Sequence, residues 1–263
     1  MRSLAEASEK GGQPMSQDHP SYANPTIVEA LCEVHVRREG GWHPSLPGEL
    51  FKVIQDEYPQ MEPVSEIGLQ LEHGPQGMVQ RILPPRQRTQ FRHASRPLLI
   101  QLGEGVFTVN VLAPYPGWSV MQQDVLQAWA RARAVLKPAS IERVGLRYIN
   151  RLPCDTGNDA IGNWLKPGPY VPAGLLQSGP GFLLRMHASL DGANRLVVTI
   201  ADGGNEDEGP GVVFDIDRIV EHGMPPDEET IQREMLRLHQ DVWDVFDQAK
   251  HTKLERHLEG HSQ

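Results

Sequence analysis

The amino-acid sequence predicts an α+β protein built from two tandem, similar β-α-β-β-β-α units, with antiparallel sheets and helices packed on one face. Three observations carry this expectation. Val64 to Ala113 alternates apolar and polar residues between glycine and proline breaks, the pattern of an antiparallel meander. Two amphipathic helix patterns, Met121 to Val135 and Ile231 to Ala249, each follow a pair of strand-like runs. Corresponding elements lie about 110 residues apart, the spacing of an internal duplication in two copies.

Residues 1–22 are rich in Ser, Gly, Gln and charge without periodicity and read as a disordered leader that contains Met15. A first unit is expected over 23–138, a second over 139–258 packed on the first, and a tail over 259–263. The folded part is expected to open at Asn24-Pro25, where proline biases its predecessor toward extended geometry. A first strand follows over Thr26 to Val36. Pro47 starts a helix with the stripe Leu50, Phe51, Ile54 and Tyr58, which Pro59 closes. Pro97 to Leu102 and Val106 to Leu112 flank Gly103-Glu-Gly105 and predict a hairpin. Ser119 with Gln122 three residues on predicts a capping box for the next helix, which stops before Pro138.

The second half is expected to repeat this order. A central strand leads to a short helical segment around Asp159 to Leu165, a Gly/Pro-rich loop, and a strand over Phe182 to Leu190. Arg195 to Ile200 and Gly211 to Ile216 predict another strand pair around an acidic linker. Asp227-Glu228-Glu229 then open a long helix, placing negative charge where the helix dipole favours it.

The central strand, Arg143-Val-Gly-Leu-Arg-Tyr-Ile-Asn-Arg151, is the most distinctive stretch. Alternation puts Val144, Leu146, Tyr148 and Asn150 on one side and Arg147, Ile149 and Arg151 on the other. Arg147, Tyr148 and Asn150 are therefore candidate ligand-binding residues beside a cleft between the halves. The structural alternative has Arg147 paired with an acidic neighbour, the Tyr148 hydroxyl at a rim, and Asn150 opening a turn.

Charge is unevenly placed within a net charge of -9. From Asp202 onward there are 16 acidic and 6 basic residues, against 18 acidic and 19 basic before it. Opposing this acidic end is a strip with Arg81, Arg86, Arg88, Arg92 and Arg96 and no acidic residue between them. In extended geometry Arg86, Arg88, Arg92 and Arg96 share one face, a weak candidate for nucleic acid or an acidic partner. Pairing with the protein's own acidic end is the favoured reading.

No phosphate-binding loop is present, because Gly157 to Gly162 is followed by Asn163-Trp164 rather than Lys and a hydroxyl residue. No nucleophile elbow or paired-histidine zinc motif occurs. Asp215 and Asp217 share a strand face with His222 just beyond, so a divalent cation and phosphoester hydrolysis form the competing enzymatic reading. The bland reading of the two aspartates, as solvent-facing residues alternating with Phe214 and Ile216, is favoured. Cys154 in its Pro-Cys-Asp-Thr-Gly turn reads as an exposed thiol without an assigned base, and Cys32 as a core residue. His251, His257 and His261 fall on a frayed helix end. Two cysteines, a polar N-terminus and no long apolar run predict a cytoplasmic location without a membrane partner.

Asn24-Pro25-Thr-Ile-Val-Glu-Ala30, Gly145-Leu-Arg-Tyr-Ile-Asn-Arg151, Phe214-Asp-Ile-Asp217 and the His239 to Phe246 helix resemble a sporadically distributed, uncharacterised bacterial family of about this length. The resemblance covers most of residues 24–258. It implies fold boundaries and an accessory role, in mobile-element or defence-associated gene neighbourhoods, rather than a reaction. The expected function is a non-catalytic binding or interaction module with a protein partner or small ligand. The sequence names no cofactor.

Overall fold

Strand β1 (Ile27–Arg37) lies between β7 (Val106–Leu112) and β8 (Ser140–Leu152), antiparallel to both. That placement joins the halves of the chain into one nine-stranded sheet. Its order is β2-β5-β6-β7-β1-β8-β11-β10-β9, with β2 (Gln60–Glu66), β5 (Arg86–Arg92), β6 (Leu98–Gly103), β9 (Leu183–Ser189), β10 (Asn194–Asp202) and β11 (Val212–Met224). A separate hairpin joins β3 (Leu69–Gly74) to β4 (Gly77–Ile82). The computed structural model describes residues 19–66, 69–74, 77–82, 86–204 and 209–260, with side chains excluded over 66–86.

Two sheets were expected, and there is one large antiparallel sheet instead. Pairing β1 with β8 satisfies backbone donors and acceptors that separate sheets would leave on two edges. The first half also carries more strands than the predicted unit, because β2 and the β3–β4 hairpin precede the β5-β6-β7 meander.

Period-two alternation divides the sheet into two faces. Ala30, Cys32, Val34, Val144, Leu146, Tyr148, Phe214 and Ile216 point to one side and are buried. The buried residues of α1 (Leu46–Ile54), α2 (Trp118–Leu136), α3 (Glu228–Ala249) and α4 (Thr252–Leu258) join them in one hydrophobic cluster. Asp227 caps α3 by accepting from the Thr230 backbone N–H, as its acidic opening predicts. The predicted capping box of α2 does not form. Its N-cap is Gly117, with φ +99, and Ser119 lies inside the helix.

The opposite face carries charge. Glu33 on β1 meets His35 Nε2 at 2.7 Å, Arg88 Nη2 at 3.1 Å and Arg143 Nη1 at 3.6 Å. Arg88 reaches it by crossing Gly103, where a Cβ would stand 3.1 Å from Arg88 Cγ. Arg147 donates from Nε and Nη2 to the two oxygens of Asp215, both at 2.8 Å. Thr108 and Asp215 on this face are only 2% and 4% exposed.

Several sequence expectations change. Residues 19–22 do not belong to a leader, since His19 stacks on Trp243 and Tyr22 accepts from Lys250 Nζ at 2.7 Å; residues 1–18 lie outside the described residues. The helical segment predicted near 159–165 is one 3-10 turn, Ile161–Asn163. Cys154 is buried rather than exposed, and burial raises its thiol to about 12. His257 is not on a frayed end: α4 docks on the core through Leu254 and Leu258, and His257 Nε2 meets Asn24 Nδ2 at 3.0 Å. His261 lies outside the described residues.

Candidate functional site

Between α2 and α3, at the start of β1, lies a cavity of about 400 Å³. Each wall has a local cause. Pro114-Tyr-Pro-Gly-Trp118 brings the chain off β7 into α2, and the positive φ of Gly117 lets Trp118 begin the helix. Trp118 stacks on His239 of α3, with ring centroids 3.8 Å apart and planes 5° from parallel. One turn further along α3, Trp243 stacks on His19 at 4.3 Å and 13°. His19 and His239 themselves meet edge to face at 5.1 Å. The segment carrying His19 is held by Asn24 N–H donating to Leu258 O at 3.1 Å.

Tyr148 and Asn150 line this cavity from β8. The Tyr148 hydroxyl is not at a rim. It is buried, 3.1 Å from the Tyr115 hydroxyl and 3.2 Å from His239 Nδ1. Asn150 opens no turn, because β8 continues to Leu152. Its amide is occupied at both ends, accepting from Thr26 Oγ1 at 3.0 Å and donating to Phe214 O at 3.2 Å. Arg147 is not with them. Alternation sends it through the sheet to the opposite face, where Asp215 holds it.

Burial dominates the electrostatics of the cavity. It raises the Tyr115 and Tyr148 hydroxyls above the ordinary tyrosine range and pushes His239 down to about 3. All three are therefore neutral at physiological pH. Among the described residues no Asp, Glu, Lys or Arg lines the cavity, and Lys250 Nζ stands behind its wall, 5.3 Å from the centres of the Tyr22 and Trp243 rings.

The His239 shift gives a testable consequence. A histidine whose folded pKa is depressed contributes stability that is present above about 6.5 and is lost as pH falls toward 3. Between pH 7 and pH 5 this amounts to about 2 kcal/mol. His239→Phe keeps a ring against Trp118 and removes the titration. Denaturant unfolding at the two pH values is expected to show that the variant loses about 2 kcal/mol less than the wild type; equal losses would refute the assignment.

The other predicted sites separate in space. Asp215 is buried rather than solvent-facing, with both oxygens taken by Arg147. Asp217 shares its face, and burial pushes its carboxyl up to about 6 against the pull of Arg147 and Arg143. His222 is exposed near the irregular end of β11. Among the described residues no group of three or more His, Cys, Asp or Glu is placed to hold a metal ion.

The arginine strip is broken. Arg88 is bound to Glu33, and β5 ends at Arg92. Arg96 lies in the turn beyond, donating to both oxygens of Asp124 at 2.7 and 2.5 Å. The side chains of Arg81 and Arg86 lie outside the described residues. Among the described residues no helix is long and apolar enough to cross a membrane.

Sequence reasoning missed Tyr115, Trp118, Gln122, His239, Trp243 and His19 as parts of one site. The readable signal was the four-residue spacing of His239 and Trp243 on one helix face, together with aromatics set among prolines before α2. No family model matches the chain, and no curated protein matches it.

Proposed function

We propose that the protein is a non-catalytic binding module that holds a small, flat ligand between α2 and α3. The cavity of about 400 Å³, walled by near-parallel aromatic rings from distant parts of the chain, is the observation that carries this reading. Its size falls within the range of small-molecule sites. Acid–base catalysis near neutrality favours a group that titrates there. The Tyr115–Tyr148–His239 chain offers none, because burial holds each member in its neutral form.

We further infer a tandem duplication. Outward from the central pair the strands run β1-β7-β6-β5 on one side and β8-β11-β10-β9 on the other. α2 follows β7 and α3 follows β11, so the pocket sits between equivalent helices of the two halves. This order supports duplication independently of any residue match.

Native mass spectrometry of the full chain recovered from its own cells tests the binding role. A co-purifying small-molecule mass is expected. Trp118→Ala should lower its occupancy at least tenfold, a loss of about 1.4 kcal/mol in binding. Arg185→Ala, exposed on the opposite face, should retain it. A bare wild-type chain, or equal occupancy in Trp118→Ala, would overturn the reading.

A further inference from the structure

We propose that strand β9 is a docking edge for an extended segment of another protein in which acidic and apolar residues alternate. This interaction is separate from the pocket, none of whose lining residues lies on β9. The backbone of β9 points to it first. Phe182 O accepts from the Asp202 N–H, and the Leu190 N–H donates to Asn194 O. Antiparallel ladders alternate bonded and non-bonded pairs, so Phe182, Leu184, Met186, Ala188 and Leu190 direct their polar groups toward β10. Leu183, Arg185, His187 and Ser189 then direct N–H and C=O off the sheet, and among the described residues no strand lies beyond them.

The two edges of the sheet differ. β2 carries Glu62 and Pro63, and proline has no N–H to offer. β9 has no proline, lysine or acidic residue, and it pairs with β10 without a register shift. Its apolar residues are also incompletely covered. α3 packs over β8 and β11, further in along the sheet, and Leu184, Met186 and Ala188 are half-buried. Leu183 is 73% exposed, and Leu190, just past the strand, is 47% exposed. An added strand lays one row of side chains beside Leu184, Met186 and Ala188 and the alternate row beside Arg185 and His187.

That second row sets the charge of the partner. Arg185 Nε donates to His187 Nε2 at 3.1 Å and Nη1 to Thr199 Oγ1 at 3.3 Å, and it meets no carboxylate among the described residues. Burial, together with the charges of Arg185 and Arg195, keeps His187 neutral near pH 7. A carboxylate directly across from Arg185 completes a cross-strand ion pair. The β9 edge of a second copy does not supply one, because β9 contains no Asp or Glu.

Fluorescence anisotropy of labelled peptides the length of β9, titrated with the full chain, tests the assignment. One peptide alternates glutamate and valine, a second has lysine in place of glutamate, and a third is the first with N-methylated glutamates. In an antiparallel pair the glutamates facing Arg185 also supply the bonding N–H groups, which methylation removes. The glutamate peptide is expected to bind about fivefold tighter than the lysine peptide. The net charge of -9 favours the opposite order, so this preference reports the local face. N-methylation should weaken binding about tenfold or more. Arg185→Glu should reverse the preference between glutamate and lysine peptides, with its melting temperature as the control for folding; the methylated peptide needs no variant.

Failure of the glutamate peptide to bind, equal or tighter binding of the lysine peptide, indifference to N-methylation, or an unchanged preference in folded Arg185→Glu would each overturn the assignment. A dimer of the chain formed through β9 that excludes the peptide would overturn the choice of partner.

Discussion

Glu33→Gln is expected to lower the free energy of unfolding by about 3 kcal/mol at pH 7. Glu33 sits on the central strand with a side chain 17% exposed and three cationic or protonatable neighbours. Burial alone would raise its carboxyl. The His35 hydrogen bond and the charges of His35, Arg143 and Arg88 together overcome that and hold it at about 2. A carboxylate with a depressed folded pKa contributes stability that is present above its unfolded value, near 4.5, and is lost as pH falls through about 2.

Glutamine keeps the shape and removes the charge, leaving Arg88 and Arg143 around a neutral group. Urea unfolding at pH 7, 4 and 2.5 measures the outcome. The gap between variant and wild type should be widest at pH 7 and should shrink steadily on acidification. A gap that stays constant with pH would mean that lost packing, rather than lost charge, is responsible.

Arg147→Ala is expected to cost about 2–3 kcal/mol and to leave pocket binding unchanged. Removing one partner of a buried ion pair leaves an uncompensated charge, here on Asp215, which is 4% exposed. The loss stays below that of a fully buried pair because the Arg147 side chain is itself 36% exposed and partly solvated. Asp217, already raised to about 6, loses one of the cations that pulls it down. Its folded pKa therefore rises further, so the penalty grows as pH rises through that range.

The destabilisation should accordingly be larger at pH 8 than at pH 5. Ligand occupancy, scaled to the folded fraction, should match the wild type because Arg147 points away from the cavity. Weakened binding by fully folded Arg147→Ala would return this residue to the site.

Much of the local architecture was legible in the chain. Val144, Leu146, Tyr148 and Asn150 do share a face, and Arg147 shares the other, because successive strand side chains must alternate. The hairpin of β6 and β7 turns at Glu104-Gly105, where glycine adopts φ +69. The stripe Ile231, Met235, Leu238 and Val242 is buried along α3, because a 3.6-residue period brings those positions to one side. The candidate site was only partly legible. Tyr148 and Asn150 stood out as polar groups on an otherwise apolar strand face, yet Arg147 beside them belongs to the other surface.

The sequence by itself determined the long strands and helices and which of their residues share a face, since both follow from the repeat of the local backbone. Only the tertiary structure decided what meets what. β1 and β8 are separated by more than a hundred residues, and no local period announces that they pair or that one sheet results. Cys154 looked exposed in its turn and is enclosed by the core. His19, Trp118, Tyr148, His239 and Trp243 converge on one cavity only after the sheet has brought α2 beside α3. Alternation orients a side chain relative to its own strand; long-range packing selects its neighbours, and those neighbours set its charge state and its chemistry.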